Sequence, residues 1–298
     1  EEADLIIALG MRFDDRITGN PEKFALNSKK IHVDIDPSEI GKNINVEVPI
    51  IGDVKNVLIE IIPQIETGTH TSWLRRIEQL KDEHPSLKIP ETDKLLGRHV
   101  IREISNVTEG NAIIVTGVGQ HQMWAAQHYR FKKPCSLLTS GGSGTMGYEV
   151  PAAMGAQVAA PEETVWSICG DGGFQMTLPE LATIVENKLP VKFAILNNGF
   201  LGMVRQWQEI FFEGSYVSTA YTGNPDFVLL AEAYGIKGIK VTDKSQIKKA
   251  IVDAMEHDGP VLVDFMVEQE DNVYPMIPSG MTVNEIIEEN INETVKIK

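Results

Sequence analysis

Short apolar runs alternate with helix-like patterns along most of the chain. The segment Asp4–Gly10 reads as a fully buried strand, Lys30–Asp36 as a second strand, and Val54–Ile62 as an apolar helix. Strands that alternate with helices are typical of α/β folds with parallel sheets. Because a buried strand lies within the first ten residues, we expect the chain to begin inside a domain.

The alternation resumes beyond residue 111. Strands are predicted at residues 113–116, 165–169, 191–196, 239–241 and 261–267. One helix is predicted from Pro179 to Asn187, because Thr177 and Glu180 have the spacing of a capping box. Another is predicted to start at the Asn224-Pro225-Asp226 turn and to run toward Tyr234.

The segment at residues 63–71 has the composition of a linker, and apolar residues at helical spacing predict helices near residues 73–80 and 96–107. We therefore predict a partial α/β domain at 1–66 and a linker with a helix at 67–94. A larger α/β domain is predicted at 95–270, followed by a tail at 271–298.

Composition excludes several classes of protein. The 298 residues are 42% apolar and 23% charged, which is ordinary for a globular protein. A net charge of -15 disfavours nucleic acid and anionic membranes as partners, and no apolar run is long enough to span a bilayer. We expect a cytoplasmic protein. Cys135 and Cys169 lack metal-binding spacing and are expected to be buried thiols.

Two polar turns follow consecutive predicted strands. Cys169-Gly170-Asp171-Gly172-Gly173 ends one strand, and Leu196-Asn197-Asn198-Gly199 ends the next. Parallel strands bring such ends to one edge of a sheet. A carboxylate and an amide oxygen leave positions that Mg²⁺ fills with water and phosphate oxygens, and the glycines let backbone N–H groups approach a diphosphate.

Each dipeptide has a simpler interpretation, because Asp-Gly and Asn-Gly are common in turns. Their conjunction at two neighbouring strand ends favours a magnesium-diphosphate site with Asp171 and Asn198 as ligands.

The spacing of these turns resembles the fingerprint of thiamine diphosphate enzymes. The blocks RFDDR at 12–16, GQHQMW at 119–124, GTMGY at 144–148 and MVRQWQ at 203–208 resemble the large catalytic subunits of the acetohydroxyacid synthase (acetolactate synthase) family. The resemblance extends over essentially the whole chain. It implies a doubly wound parallel-sheet domain that binds thiamine diphosphate, preceded by part of a Rossmann-like middle domain.

The implied activity is the decarboxylation of pyruvate on thiamine diphosphate and the joining of the remaining two-carbon unit to pyruvate or 2-ketobutyrate, in valine, leucine and isoleucine synthesis. The resemblance also implies Mg²⁺, a structural FAD, a homodimer or homotetramer, and a small regulatory subunit.

Three other interpretations remain open. The chain could belong to a pyruvate oxidase, glyoxylate carboligase or 2-keto acid decarboxylase, or to a catabolic acetolactate synthase without FAD. From a different class, it could be a cofactor-binding module that is inactive on its own.

The resemblance also assigns roles to individual residues. Cofactor contacts are implied for Gly119, Gln120, His121, Gly144, Met146, Gly170, Asp171, Gly172, Gly173, Asn198 and Met203. The Phe200 carbonyl is implied as a third magnesium ligand. Met146 is implied to lie beneath the cofactor, although an ordinary core methionine fits the sequence as well.

Met203, Val204 and Trp207 are implied as the wall of the active site, with Trp207 favouring 2-ketobutyrate; their spacing also fits a helix core. Arg205 and Gln206 either face the substrate carboxylate or lie on the helix surface. The FAD site is implied to involve Arg12, Asp34, Asp36 and Asp53, whereas the acidic residues alone read as strand-end turns. The tail is implied to be a lid over the site, or else packs as an amphipathic helix.

The chain departs from the family pattern in several places. The family's amino-terminal domain, which supplies an activating glutamate, has no match, so the resemblance implies a carboxyl-terminal portion that is inactive alone. Within matching blocks, Ser143 and Val150 stand where the family usually has leucine, Gly117 replaces an acidic residue, and Glu149 replaces a glycine. We expect Glu149 either to reach solvent or to have a raised pKa if buried, with a modest loss of cofactor affinity.

Overall fold

The computed structural model describes residues 1–288 and divides the chain into two compact units. Among the described residues, one unit consists of residues 1–86 and 274–288, and the other of residues 87–273. Residues 289–298 of the predicted tail lie outside the described residues. The predicted domain boundaries and the lid stay predictions.

A three-stranded parallel sheet forms the centre of the first unit. Its elements are β1 (Leu5–Leu9), α1 (Asp15–Thr18), β2 (Lys29–Asp34), β3 (Val48–Ile51), α2 (Val54–Ile61) and α3 (Thr71–Glu83). The strand order is β1-β2-β3, and the register sets Ile7 opposite Ile31 and Ile31 opposite Val48. Both predicted strands and the apolar helix form at the predicted places.

The apolar side chains of β1 are only partly covered. Successive residues of a strand face opposite sides of the sheet, and only Ala8 of β1 is fully buried. Ile7 on the other face is 54% exposed, and Leu5 and Leu9 are exposed as well. The prediction of a fully buried strand is therefore wrong. The core of this unit is small and consists of Ala8, Phe13 and Ile44 with partly buried neighbours.

Residues 274–288 of the predicted tail belong to the first unit. Met276 and Ile287 form an isolated antiparallel bridge, and a short 3₁₀ turn covers Val283–Glu285. The Asn20 N–H donates to the Met281 carbonyl at 3.0 Å. These contacts anchor residues 274–288 to the loop that precedes β2.

The second unit contains a six-stranded parallel sheet. Its elements are α4 (Gly97–Val107), β4 (Ile113–Thr116), α5 (Gln120–His128), β5 (Leu137–Thr139), α6 (Glu149–Ala159), β6 (Val165–Gly170), α7 (Asp171–Phe174), α8 (Glu180–Glu186), β7 (Lys192–Asn197), α9 (Gly202–Phe211), α10 (Phe227–Ala233), β8 (Lys237–Val241), α11 (Ile247–Met255) and β9 (Val261–Met266). The strand order is β5-β4-β6-β7-β9-β8. The order reverses between β4 and β6, and such a switch point opens a crevice at the carboxyl ends of the strands.

Helices cover both faces of this sheet. On one face, α4, α5 and α11 pack against strand residues such as Ile168 and Leu196. On the other, α6, α8 and α10 pack against the alternate residues, including Cys169 and Ile195. Because alternate side chains of each strand enter different cores, the strands read as continuous apolar runs. The predicted doubly wound α/β fold is confirmed.

The five strands predicted in this unit are confirmed to within two residues, and β5 was missed because its run of three residues is too short to recognise. The predicted capping box is wrong. The Thr177 hydroxyl donates to the Gly147 carbonyl at 2.9 Å and makes no cap of α8. Asp226 does cap α10, since its carboxylate accepts from the Val228 N–H at 2.9 Å.

Within residues 1–288, every helix is too short or too polar to cross a bilayer. Cys169 is buried as predicted, but Cys135 is exposed, so the prediction that both thiols are buried is wrong for Cys135. The predicted cytoplasmic location stays a prediction.

Gly97 permits close packing at the start of α4. A Cβ atom there would lie 2.6 Å from two ring carbons of the buried Trp124. We expect Gly97→Ala to lower the free energy of unfolding by about 1–3 kcal/mol through overpacking. The control is Gly155→Ala in α6, where a Cβ would meet nothing within 4 Å; we expect it to stabilise the protein by about 0.5–1 kcal/mol. Urea unfolding of both variants is the measurement, and equal effects would contradict the packing assignment.

Candidate functional site

The ends of β6 and β7 meet at the switch-point edge of the sheet. Gly170 lies opposite Leu196 in parallel register, so Asp171 and Asn197 leave the two strands side by side. The Gly199 N–H donates to Asp171 Oδ2 at 3.0 Å. The structure therefore brings together the two turns that the sequence singled out.

Asp171 is buried and held by polar neighbours. Besides Gly199, its Oδ2 accepts from the Asn224 side-chain amide at 2.6 Å, and the same amide lies 3.4 Å from Asn197 Oδ1. Burial raises the pKa of Asp171 to about 6 despite these hydrogen bonds. A divalent cation would favour the charged form. Asn224, which the sequence suggested only as part of a helix start, is thus a member of the site.

Asn198 is fixed from both ends of its amide. Its Oδ1 accepts from the Phe200 N–H at 3.0 Å, and its Nδ2 donates to Gln120 Oε1 at 3.3 Å. Phe200 in turn pairs with Ala220 in an isolated antiparallel bridge. The amide and backbone oxygens of this turn therefore sit on a loop with little freedom.

The donor set at this edge suits a hard cation that shares its shell with phosphate. It offers one carboxylate, one amide oxygen and backbone carbonyls, which are ligands that Mg²⁺ accepts. Among residues 1–288 there is no cluster of three or more His, Cys, Asp or Glu side chains able to hold a metal ion. A cation here would therefore need further oxygens from a ligand such as a diphosphate.

The loop after β4 lies beside the loop after β6. Gly119 has a φ of 143°, a conformation that favours glycine. The ring of His121 fills the space beside Gly170, where a Cβ atom would lie 2.9 Å from its Cε1. Burial lowers the pKa of His121 to about 4, so the ring is neutral at pH 7. Small residues at 119 and 170 thus let this ring reach the strand ends.

A buried network of polar side chains supports the turn at Asn198. Gln120 Nε2 donates both to Gln206 Oε1 and to the Asp271 carbonyl, each at 3.0 Å. The Gln206 side chain also pairs with the N–H and C=O of Val273, at 2.8 and 2.9 Å. Arg98 forms a buried ion pair of 2.6 Å with the Asp271 carboxylate. The network therefore connects α4, α5 and α9 with the segment that follows β9.

Arg205 and Gln206 were predicted either to face substrate or to lie on the helix surface. Both are buried, and the interpretation as helix surface is wrong. Arg205 pairs with Glu209 at 2.8 Å, and its guanidinium carbon lies 4.7 Å from the centre of the Tyr216 ring. Gln206 is fully occupied by the network.

The residues implied as the active-site wall lie on or near α9. Met203 is half-buried against the core, while Val204 and Trp207 are exposed on one side of the helix, one turn apart. The Trp207 ring packs edge-on against Phe211 with centroids 5.4 Å apart. Met146 is half-buried in the loop before α6, two residues after Gly144, whose φ is 63°. Their roles toward a ligand stay predictions.

The four residues implied for FAD lie near the carboxyl ends of the first unit's strands. Arg12 follows β1 and pairs with Asp14 at 2.8 Å. Asp34 ends β2 and accepts from the Asp36 N–H at 2.9 Å, and Asp36 accepts from the Ser38 N–H. Asp53 follows β3 and caps α2 through the Asn56 N–H. The acidic residues form the strand-end turns that the sequence alone suggested, at one common edge.

Glu149 lies in the interior at the start of α6. Its side chain is 0% exposed, and neither carboxyl oxygen has a partner with hydrogen-bond geometry among the described residues. A Cβ on Gly117 would lie 2.6 Å from the Glu149 carboxyl carbon, and a Cβ on Gly173 would lie 2.9 Å from its Oε1. The carboxyl group therefore occupies the space that a side chain at 117 would need.

Burial raises the pKa of Glu149 to about 7, against the influence of the N–H groups of Glu149 and Gly147. The folded protein then retains a proton between pH 4.5 and 7 that the unfolded chain has lost. The contribution of Glu149 to the free energy of unfolding is therefore greatest below pH 4.5 and falls as the pH rises to about 7.

As the pH rises across this range, we expect the free energy of unfolding of the wild-type chain to fall by about 3 kcal/mol relative to that of Glu149→Gln. One pKa unit corresponds to about 1.4 kcal/mol. Urea unfolding between pH 4.5 and 7.5 measures the difference. The control is Glu186→Gln, because Glu186 is exposed. A constant difference between wild type and Glu149→Gln would show that Glu149 ionises normally in the folded state.

Comparison with known proteins agrees with this site. Residues 117–265 match the family model described as the thiamine pyrophosphate enzyme C-terminal TPP binding domain, and residues 1–61 match that of the thiamine pyrophosphate enzyme central domain. The first match covers both strand-end turns.

Individual relatives show the same similarity over nearly the whole chain. The chain is 46% identical to the acetolactate synthase large subunit of Cyanidium caldarium, over 96% of this chain and 50% of the relative. It is 42% identical to the large subunit of isozyme 2 from Escherichia coli (97% and 52%) and 43% identical to chloroplastic acetolactate synthase 1 of Zea mays (99% and 48%). The chain spans about half the length of the curated relatives it matches. It belongs to the thiamine pyrophosphate enzyme family and, within it, is similar to the acetolactate synthase large subunits.

Proposed function

We propose that this chain carries the thiamine diphosphate site of an acetolactate synthase, which decarboxylates pyruvate and joins the remaining two carbons to pyruvate or 2-ketobutyrate. The observation that carries the proposal is the hydrogen bond from the Gly199 N–H to Asp171, which joins the two turns after β6 and β7, beside the switch point between β4 and β6. The similarity to acetolactate synthase large subunits favours this reaction over those of other thiamine enzymes.

The residues present fit a magnesium-bound diphosphate. Asp171, Asn198 and the Phe200 carbonyl would hold the cation, and Asp171 is a buried carboxylate whose raised pKa a cation would lower again. Backbone N–H groups of Gly172 and Gly173, with the loop at 119–121, would hold the phosphates. Thiamine diphosphate, when bound, supplies the electron sink for decarboxylation of a 2-keto acid and for the new carbon-carbon bond.

The protein's contribution is to position the cofactor and the keto acids and to exclude water from them. Met146 and Met203 would bound the cofactor's ring system, and the exposed side of α9 with Val204 and Trp207 would face the second keto acid. His121, neutral at pH 7, would border the cofactor without adding charge. Orientation of this kind and exclusion of water lower the barrier of a condensation without further chemical groups.

FAD, pathway and partners form the rest of the proposal. Asp34, Asp36 and Asp53 place carboxylates that suit ribose hydroxyls at one edge, and Arg12 places a cation that suits a phosphate. We propose that FAD is structural, that the enzyme is a homodimer or homotetramer with a small regulatory subunit, and that it serves branched-chain amino acid synthesis.

The cofactor site is tested by isothermal titration of the chain with thiamine diphosphate in the presence of Mg²⁺. We expect Asp171→Asn to weaken binding at least tenfold, since a neutral amide replaces the only carboxylate ligand; a tenfold loss corresponds to about 1.4 kcal/mol. The control is Asp226→Asn, an aspartate that caps α10. Equal affinities of Asp171→Asn and wild type would refute the assignment.

The reaction is tested by assaying acetolactate from pyruvate, with this chain alone and with a separately expressed amino-terminal half of an acetolactate synthase. Formation of acetolactate only in the mixture would identify the chain as a module that needs the other half. Formation of acetate or an aldehyde without acetolactate would favour the oxidase or decarboxylase alternatives.

Trp207 should set the choice of second substrate. We expect Trp207→Leu to lower the preference for 2-ketobutyrate over pyruvate about tenfold, which is typical when a pocket loses its contact with one methylene group. The product ratio with both keto acids present is the measurement. Trp73→Leu is a matched control, because Trp73 is 40% exposed and Trp207 38%. An unchanged ratio in Trp207→Leu would exclude this role.

A further inference from the structure

Tyr221 lies directly over the glycine turn that follows β6. Its backbone belongs to a short paired segment, in which the Leu201 N–H donates to the Thr219 carbonyl and the Tyr221 N–H to the Gly199 carbonyl, both at 2.8 Å. These two bonds hold residues 219–221 against the turn that also contacts Asp171. The position of Tyr221 is therefore tied to the loop that carries Asn198.

The hydroxyl end of the Tyr221 ring lies against Gly172. A Cβ atom on Gly172 would lie 2.8 Å from Tyr221 Cζ and 3.0 Å from its Cε2, and the hydroxyl would be nearer still. Gly172 is not among the glycines with a positive φ, so its backbone would accept a side chain. The space beside it is what excludes one, because the Tyr221 hydroxyl fills that space.

This hydroxyl is placed to donate. The side chain is only partly buried, so the hydroxyl is open to a ligand, and it lies beside the backbone amides of the glycine turn that are proposed to bind phosphate. The ordinary pKa of a phenol is about 10, so the group keeps its proton at neutral pH. A protonated phenol that is open to a ligand can donate to an anionic oxygen.

We propose that the Tyr221 hydroxyl donates a hydrogen bond to the diphosphate of the bound cofactor and that Gly172 lacks a side chain to leave room for it. This inference rests on the proposed thiamine diphosphate site. It adds a side-chain contact from the loop after α9 to the backbone contacts of the glycine turn.

The first test compares Tyr221→Phe with wild type by isothermal titration with thiamine diphosphate and, separately, with inorganic pyrophosphate, both with Mg²⁺. A hydrogen bond to a charged group predicts about tenfold weaker binding of each ligand. Tyr234→Phe, at the end of α10, is the control and should bind as wild type does. The urea midpoint without ligand should be unchanged in Tyr221→Phe.

The second test is a double-mutant cycle. Gly172→Ala should weaken binding of both ligands about tenfold, because its Cβ displaces the hydroxyl. In a Tyr221→Ala background the same change should weaken binding less than twofold, since nothing remains to be displaced.

Equal affinity of Tyr221→Phe and wild type for thiamine diphosphate overturns the inference and leaves the proposed function standing. Weakening for thiamine diphosphate but not for pyrophosphate also overturns it, because the contact would then lie elsewhere on the cofactor. Additive effects in the cycle overturn the role given to Gly172. Absence of binding by wild type overturns both this inference and the proposed function.

Discussion

The parallel register of β6 and β7 is the constraint on which the site depends. It sets Gly170 opposite Leu196, so that Asp171, just past the end of β6, lies beside Asn197, the last residue of β7. This alignment brings the Asp171 carboxylate within hydrogen-bond distance of the Gly199 N–H. A slip of one residue would turn the side chains to the opposite face and would separate the carboxylate from the asparagine turn. The apolar cores on both faces, which fix the register, therefore also fix the position of the polar edge.

The polar residues beneath this edge are partners of one another. Asn198 is joined through Gln120 to Gln206 and Asp271, and Arg98 neutralises the Asp271 carboxylate inside the protein. Buried networks of this kind hold one arrangement strongly when every member is satisfied. Segments that are distant in sequence thus share one set of hydrogen bonds. The rigidity of the asparagine turn comes from this network as much as from the strand that precedes it.

The sequence predicted what local pattern determines. The strands of the large sheet, the two polar turns and the α/β class are visible as apolar runs followed by glycine and acidic or amide residues. It did not predict the partners that come from distant parts of the sequence. Asn224 on Asp171, Tyr221 on Gly172, and Gln206 on Val273 are contacts of this kind. Thr177 shows the opposite error, because a capping pattern was present while its hydroxyl was engaged with Gly147. Periodicity carries no information on such long-range pairs.

Gly117 and the Glu149 carboxyl group are neighbours in one buried space. The Glu149 carboxyl group reaches from α6 to the end of β4 and lies 2.6 Å from where a Cβ at 117 would stand. An acid at both positions would force two carboxyl groups into one buried space, so the absence of a side chain at 117 is what makes room for the acid at 149.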